Sequence, residues 1–315
     1  MRAREGGLAA QAPLTMVLLL INVALYGVTA IRSENFIRID SDVLHGMFGS
    51  TREGMWEGEW LRLIAPNFLH GGLMHILFNM SALYYLGPST EVHFGSPNFG
   101  TLYLLSGVCG FCFSQIFGGN LSIGASCCIF GMMGAQIAVR VLACPVLKYA
   151  WRSPDVREQA FNMALYFGIG LAGAFGNVDN WGHLGGFIGG VVLGCLFEVW
   201  QKNHRVNPVA VAGVSILFVA LICAARWTVF SPYYHIHMAA VAMDENDGAP
   251  DRNLAGKEFE EAKEWGKFWH EEPRINGVIL AFQHEWTIHD AREYGYKFIA
   301  MREQMMRKQM REMEQ

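Results

Sequence analysis

The sequence predicts an all-α fold, a polytopic transmembrane helical bundle, and three observations carry that prediction. Of its 315 residues, 52% are hydrophobic and only 17% are charged. The charges are segregated: no Asp, Glu, Lys or Arg occurs in residues 6–31, 63–90, 92–139, 159–178, 180–197 or 206–225. A helix needs roughly 20 mainly apolar residues to cross a bilayer. Five of these gaps therefore fit one span each, and the 48-residue gap, broken at Gly118-Gly119-Asn120, fits two.

The expected helices are 13–31, 69–87, 98–118, 124–142, 159–176, 181–198 and 208–226. The first is read as a retained helix, since it is long for a signal peptide and lacks a small-residue cleavage site. Residues 1–12 form a short N-terminal segment. A long loop, 32–68, carries Trp56, Trp60 and Phe68, aromatic residues of the kind that settle at a membrane–water interface. Residues 13–200 form the core, 201–226 a linker with the seventh helix, and 227–315 a polar tail holding 16 of the 28 acids. The tail's role and partner are open.

With the N-terminus in the cytoplasm, inside segments carry Arg2, Arg4, Arg140, Lys148, Arg152, Arg157, Lys202 and Arg205. The short outside segments carry Arg32, Arg38, Arg52 and Arg62, diluted by six acids between Glu34 and Glu59. That asymmetry follows the positive-inside tendency and places the tail outside the cytoplasm. The net charge of −4 says little, because the charges are segregated; no nucleic-acid partner is expected. The seven cysteines lie in or beside apolar spans, so Cys109-Gly-Phe-Cys112 reads as helix packing rather than a redox pair.

Polar groups inside a bilayer are costly and each asks for a reason. His75 and Asn79 are four apart and share one helix face, with His70 five residues before. They are either hydrogen-bonding glue between helices or a donor pair for a developing oxyanion. Ser126, in Gly124-Ala-Ser126, opens a helix. It is either an N-cap or a hydroxyl displayed where helix N–H groups stabilise negative charge. Gly182, Gly186, Gly190 and Gly194 recur every four residues, which makes a groove for close helix packing. His183 sits at its mouth. A serine, a histidine and a donor face supply nucleophile, base and oxyanion donors for acyl transfer. Asp179, one turn before His183, is the available candidate for orienting it, although a carboxylate there is more often merely solvated.

These segments resemble the rhomboid family of intramembrane serine proteases over roughly residues 13–200. The resemblance rests on Gly58-Glu-Trp-Leu-Arg62, on His70, His75 and Asn79 in H-x4-H-x3-N, on Glu91 after the second helix, on Gly124-x-Ser126, and on His183, Gly186 and Gly190 in H-x2-G-x3-G. It implies a six-helix catalytic core plus one C-terminal helix, and a Ser126–His183 dyad that needs no acid. It further implies an oxyanion hole from His75, Asn79 and the Ser126 N–H, and an aromatic Phe130 against the imidazole. His70 and Arg62 match structural positions. Substrates would be transmembrane helices cut near the outer membrane face, with the lipid bilayer as the medium and no cofactor or metal. In two places the sequence departs from the family. Cys127 follows the nucleophile where the family has Gly, which is expected to crowd the site, and Leu61 separates Trp60 from Arg62.

A catalytically inactive relative that binds membrane helices is the alternative, and the presence of both Ser126 and His183 argues against it. An intramembrane zinc protease would need H-E-x-x-H, which His284-Glu-Trp-Thr-Ile-His289 misses by one residue. A proton-relay transporter would leave the Gly-Ala-Ser element without a role.

Overall fold

The computed structural model describes residues 11–118, 121–144, 178–203, 231–243 and 251–268, with isolated positions between 149 and 161, between 215 and 221, and at 275, 276 and 279. Among these residues the regular elements are helices, with two isolated bridges, Arg38–Gly72 and Ser50–Ser122. The fold is an all-α bundle. Helices Pro13–Arg32, Ser96–Gly118, Ser126–Ala143 and Asn180–Lys202 are long and apolar enough to cross a membrane. Apart from isolated positions, the expected fifth helix, 159–176, and the seventh, 208–226, lie outside the described residues.

Helix α1 (Pro13–Arg32) begins with Pro at its first position, where a missing N–H costs nothing. Its free N–H groups find a partner 76 residues away. The buried Glu91 carboxylate accepts from Leu14 N at 2.9 Å, Thr15 N at 2.7 Å and Thr15 Oγ at 2.7 Å, and from Ser96 Oγ at 2.6 Å. A carboxylate is favoured at a helix N-terminus by the dipole and the unsatisfied amides.

The loop after α1 is more ordered than the sequence suggested. It folds into α2 (Ser41–Gly46), α3 (Arg52–Trp56) and two 3-10 turns, Trp60–Leu63 and Ala65–Phe68. Arg62 is buried and ties the loop together. Its guanidinium donates to the carbonyls of His45 (2.9 Å) and Gly49 (2.8 Å) and to Glu59 (2.5 Å). A buried cation has to be paired in this way. Of the three aromatic residues expected at the interface, only Trp60 is exposed. Trp56 is 5% exposed and Phe68 packs against the core. The loop instead presents Phe36, Ile37, Leu61 and Ile64 outward.

Helix α4 (Leu73–Phe94) corrects the expected 69–87 at both ends. Residues 71–73 pair instead with 37–39, through Ile39 N to Gly71 O at 3.1 Å and Leu73 N to Ile37 O at 3.0 Å. The far end continues through Pro88 to Gly95, whose φ of +78° ends it. Glu91 therefore lies within this helix, not after it. The helix is long enough to span a membrane, but His75, Asn79 and the hydroxyl-rich stretch after Gly87 lower its hydropathy, and it stands outside the four spans.

Helix α5 (Ser96–Phe113) ends in a π-turn, Ser114–Gly118. Helices α6 (Ser126–Ala143) and α7 (Asn180–Asn203) follow. The glycines of α7 lie on two stripes. Gly186, Gly190 and Gly194 abut the backbone of Cys127, Gly131 and Ala135 on α6, in matching four-residue steps. Gly185 and Gly189 abut Phe113 and Cys109 on α5. Helix α7 is thus wedged between α5 and α6 at backbone contact, as small-residue stripes allow.

The chain divides into two compact units, Met1–Arg226 and Trp227–Gln315. In the second, α8 (Pro232–Ala242) and α9 (Arg252–Phe268) enclose a small core around Ile236, Ala239, Ala255, Phe259 and Ala262. His235 Nδ1 lies 2.7 Å from Glu258.

Gly190→Ala would put a methyl on the Gly131 carbonyl. Backbone cannot rotate away as a side chain can, so we expect destabilisation of about 1–3 kcal/mol or more. Gly27→Ala, with nothing within 4 Å of the added methyl, should be neutral or mildly stabilising. Thermal unfolding of both variants in detergent checks the contrast.

Candidate active site

Ser126 is the first residue of α6. Ala125 occupies the N-cap position and makes no side-chain cap bond. The serine is therefore not a cap. Its Oγ lies 2.9 Å from His183 Nε2. Ser126 is partly exposed, while Gly124, Ala125, Cys127 and Cys128 around it are buried. The turn into the helix depends on Gly124, whose φ of +119° strains any other residue. Gly124 N donates to Pro66 O at 2.8 Å, which anchors the turn to the first loop.

His183 sits in the first turn of α7 and is 7% exposed. Its ring stacks on Phe130, with centroids 4.3 Å apart and planes 14° apart. Phe130 is one helical turn after Ser126, so one stripe of α6 supplies both the hydroxyl and the platform under the imidazole. Gly186 and Gly190 lie on the next two turns of α7 and bring that helix onto α6. The Asp179 carboxylate accepts its hydrogen bonds from groups other than the His183 ring. One oxygen accepts from Gly182 N at 2.8 Å and the other from the Ser122 hydroxyl.

His75 and Asn79 approach from α4. His75 Nδ1 accepts from Gly71 N at 3.3 Å. A neutral imidazole whose Nδ1 accepts carries its proton on Nε2, so His75 presents an N–H toward the Gly124 turn. A methyl on Gly124 would lie 2.6 Å from His75 Nε2 and 3.6 Å from Asn79 Nδ2. Asn79 Nδ2 donates to His75 O at 3.1 Å. Two side-chain N–H groups therefore converge on the Gly124 turn, two residues before Ser126, whose own N–H has no partner within its helix. His70 is fully buried beside His75, with ring centroids 5.1 Å apart and roughly edge-on.

Seven of the singled-out residues thus share one neighbourhood: Ser126, His183, His75, Asn79, Phe130, Gly124 and His70. Arg62 and Glu91 are engaged elsewhere, in the first loop and at the start of α1. An ionisable base on a hydroxyl, next to N–H donors at a helix start, can deprotonate the oxygen as it attacks and stabilise the anion that forms.

Cys127 corrects the expectation of crowding. It is 2% exposed and belongs to an apolar cluster with Met55, Leu63, Val108, Phe111 and Cys112. Its sulfur occupies space left by glycines: a methyl on Gly110 or Gly182 would lie 2.8 or 3.1 Å from it. One residue turns a helix by about 100°, and that rotation carries the thiol off the Ser126 stripe into the interior.

Three residues near the site escaped the sequence reading. Ser122 bonds Asp179, Ser50 pairs with Ser122 through backbone N–H groups at 2.8 and 3.0 Å, and Asn67 accepts from Cys128 Sγ at 2.9 Å. Their only local signal was a polar residue in an apolar or turn setting.

A family model of the Rhomboid domain matches residues 57–200. RHOMBOID-like protein 7 of Arabidopsis thaliana is 34% identical over 187 residues, covering 54% of this chain and 58% of that protein. Rhomboid protease GluP of Bacillus subtilis is 37% identical over 136 residues, covering 42% of this chain and 25% of that one. Rhomboid-type serine protease 2 of Emericella nidulans is 34% identical over 142 residues, covering 43% and 26%. The match spans less than two thirds of each relative's length.

The direction of Cys127 makes a testable contrast. Cys127→Ala should stay folded with its Ser126 neighbourhood intact. Cys127→Gly should destabilise the fold by about 1–3 kcal/mol, through a helix glycine and a cavity. Alkylating reagents should modify Cys127 only on unfolding, and mass spectrometry of reacted native and denatured protein reads this out.

Proposed function

The chain belongs to the rhomboid family through its Rhomboid domain at residues 57–200, and on that premise we propose that it is an intramembrane serine endopeptidase. The single observation behind the reading is the 2.9 Å contact between Ser126 Oγ and His183 Nε2, made between the first turns of two apolar helices.

In this reading the Ser126 hydroxyl donates to His183 Nε2 and attacks the scissile carbonyl carbon, while the imidazole takes the proton. The carbonyl oxygen becomes an oxyanion stabilised by His75 Nε2–H, Asn79 Nδ2–H and the Ser126 backbone N–H. Donors held in place before charge develops are worth far more in a dry site than in water. Collapse of the tetrahedral species breaks the C–N bond, and His183 returns its proton to the leaving amine. The acyl-enzyme is then hydrolysed by water, with His183 acting again as base. Phe130 keeps the ring in plane, and the glycine stripe of α7 fixes its distance from α6.

The substrates are transmembrane helices cut near the outer membrane face. A helical peptide bond is shielded by its own hydrogen bonds, so cleavage requires local unwinding there. The N-terminus is cytoplasmic and the tail after Arg226 extracytoplasmic. No cofactor takes part.

Ser126→Ala and His183→Ala should each abolish cleavage of a model transmembrane substrate while the protein stays folded, because nucleophile and base act as a unit. Robust turnover by Ser126→Ala would overturn the assignment in favour of another nucleophile, whereas absence of turnover by the folded wild type would favour an inactive helix-binding relative. Asn79→Ala should lower kcat by roughly 10²- to 10³-fold with little change in KM. A structural-glue role predicts instead a lower unfolding temperature, with activity tracking the folded fraction.

A further inference from the structure

Asp179 and Ser122 form a contact that nothing in the proposed chemistry uses. Ser122 is buried in the turn that leads to Ser126, and Asp179 immediately precedes α7, which carries His183. The Ser122 hydroxyl donates to one Asp179 oxygen. The other oxygen accepts from Gly182 N at 2.8 Å, and Asp179 O accepts from His183 N at 3.0 Å. One residue thus holds the first turn of the His183 helix and the approach to the Ser126 helix at once.

The contact is anchored on its other side. Ser122 exchanges two backbone hydrogen bonds with Ser50, at 2.8 and 3.0 Å. Gln115, in the π-turn that ends α5, donates from Nε2 to Ser50 O and Ser50 Oγ, both at 3.1 Å. Arg52 Nε donates to Gln115 O at 2.8 Å. Ser50, Ser122 and Gln115 are all buried. The first loop, the end of α5, the nucleophile turn and the start of α7 therefore share one polar network in a mainly apolar bundle. In such surroundings each bond is strong and each loss is costly.

We infer that Asp179 is a positioning residue that sets the Ser126–His183 spacing by clasping Ser122, and that it acts by hydrogen bonding rather than as a charged third member of the dyad. The glycine stripe fixes how closely α6 and α7 approach and in what register. The clasp ties the two chain segments together at the end of the helices where the two functional side chains lie. The inference rests on Ser126 and His183 being nucleophile and base.

The test compares four variants in cleavage of a model transmembrane substrate, with unfolding temperature measured on each preparation. Ser122→Ala should lower kcat about 10-fold, and Asp179→Ala about 10- to 100-fold, both with nearly unchanged KM, as small misplacements of reacting groups do. The double variant should be no worse than Asp179→Ala. Asp179→Asn should retain most of the wild-type kcat. Its carbonyl can still accept from Gly182 N, and its amide can donate to Ser122 Oγ, which reverses the polarity of the clasp but keeps it. Asn as damaging as Ala would overturn the inference in favour of a charge acting on His183. Wild-type kcat in Ser122→Ala would overturn it outright. Ser122→Ala and Asp179→Asn remove no bulk, so the comparison stands if Asp179→Ala fails to fold. Ser126→Ala runs alongside: cleavage surviving there refutes the serine reading itself, a separate failure from that of the clasp.

Discussion

The structure depends on backbone-to-backbone contact between α6 and α7. Gly186, Gly190 and Gly194 receive Cys127, Gly131 and Ala135 in register, so the two helices touch where side chains would normally hold them apart. In lipid there is little hydrophobic drive for apolar helices to associate, and close van der Waals packing has to supply it. The same contact places one end of α7 against one end of α6. A histidine at the mouth of the stripe then reaches a serine on the first turn of its neighbour. Packing and candidate chemistry are therefore set by one choice of residues, and neither can be altered alone.

Around that contact, polar side chains satisfy backbone groups. Glu91 serves the amides that open α1, Arg62 serves two carbonyls of the first loop, and Asp179 serves the Gly182 amide in the first turn of α7. Each of these bonds closes an unsatisfied helix end or loop that the apolar surroundings could not solvate. Glu91, Arg62 and, through Ser122, Asp179 also link segments apart in the chain. Together they hold the first loop, the Ser126 turn and the two helices against one another without a disulfide among the described cysteines.

Much of this was legible in the sequence. Charge-free runs located the membrane helices to within a few residues for α1, α5, α6 and α7. The four-residue glycine spacing announced a close helix contact, which the structure makes with α6, and the i, i+4 pair of His75 and Asn79 announced a shared face. Long-range hydrogen bonding was not legible, since it depends on partners the local sequence does not name. Gly71-Gly72 was expected in the helix and instead pairs with residues 37–39, while the helix expected to end at 87 runs on through Pro88 to Phe94. Cys127 looked like an obstruction because adjacency in sequence suggested adjacency in space. The helix rotation of about 100° per residue sends it off the Ser126 stripe, into the room left by Gly110 and Gly182.

The central claim is that Ser126 is made nucleophilic by His183. The most direct measurement is reaction of the detergent-solubilised protein with a fluorophosphonate, followed by mapping of the adduct by mass spectrometry. The account predicts a single adduct on Ser126 in the wild type and almost none in His183→Ala at equal folded protein. Labelling of another residue in its place, or equal labelling of Ser126 without the histidine, would contradict it.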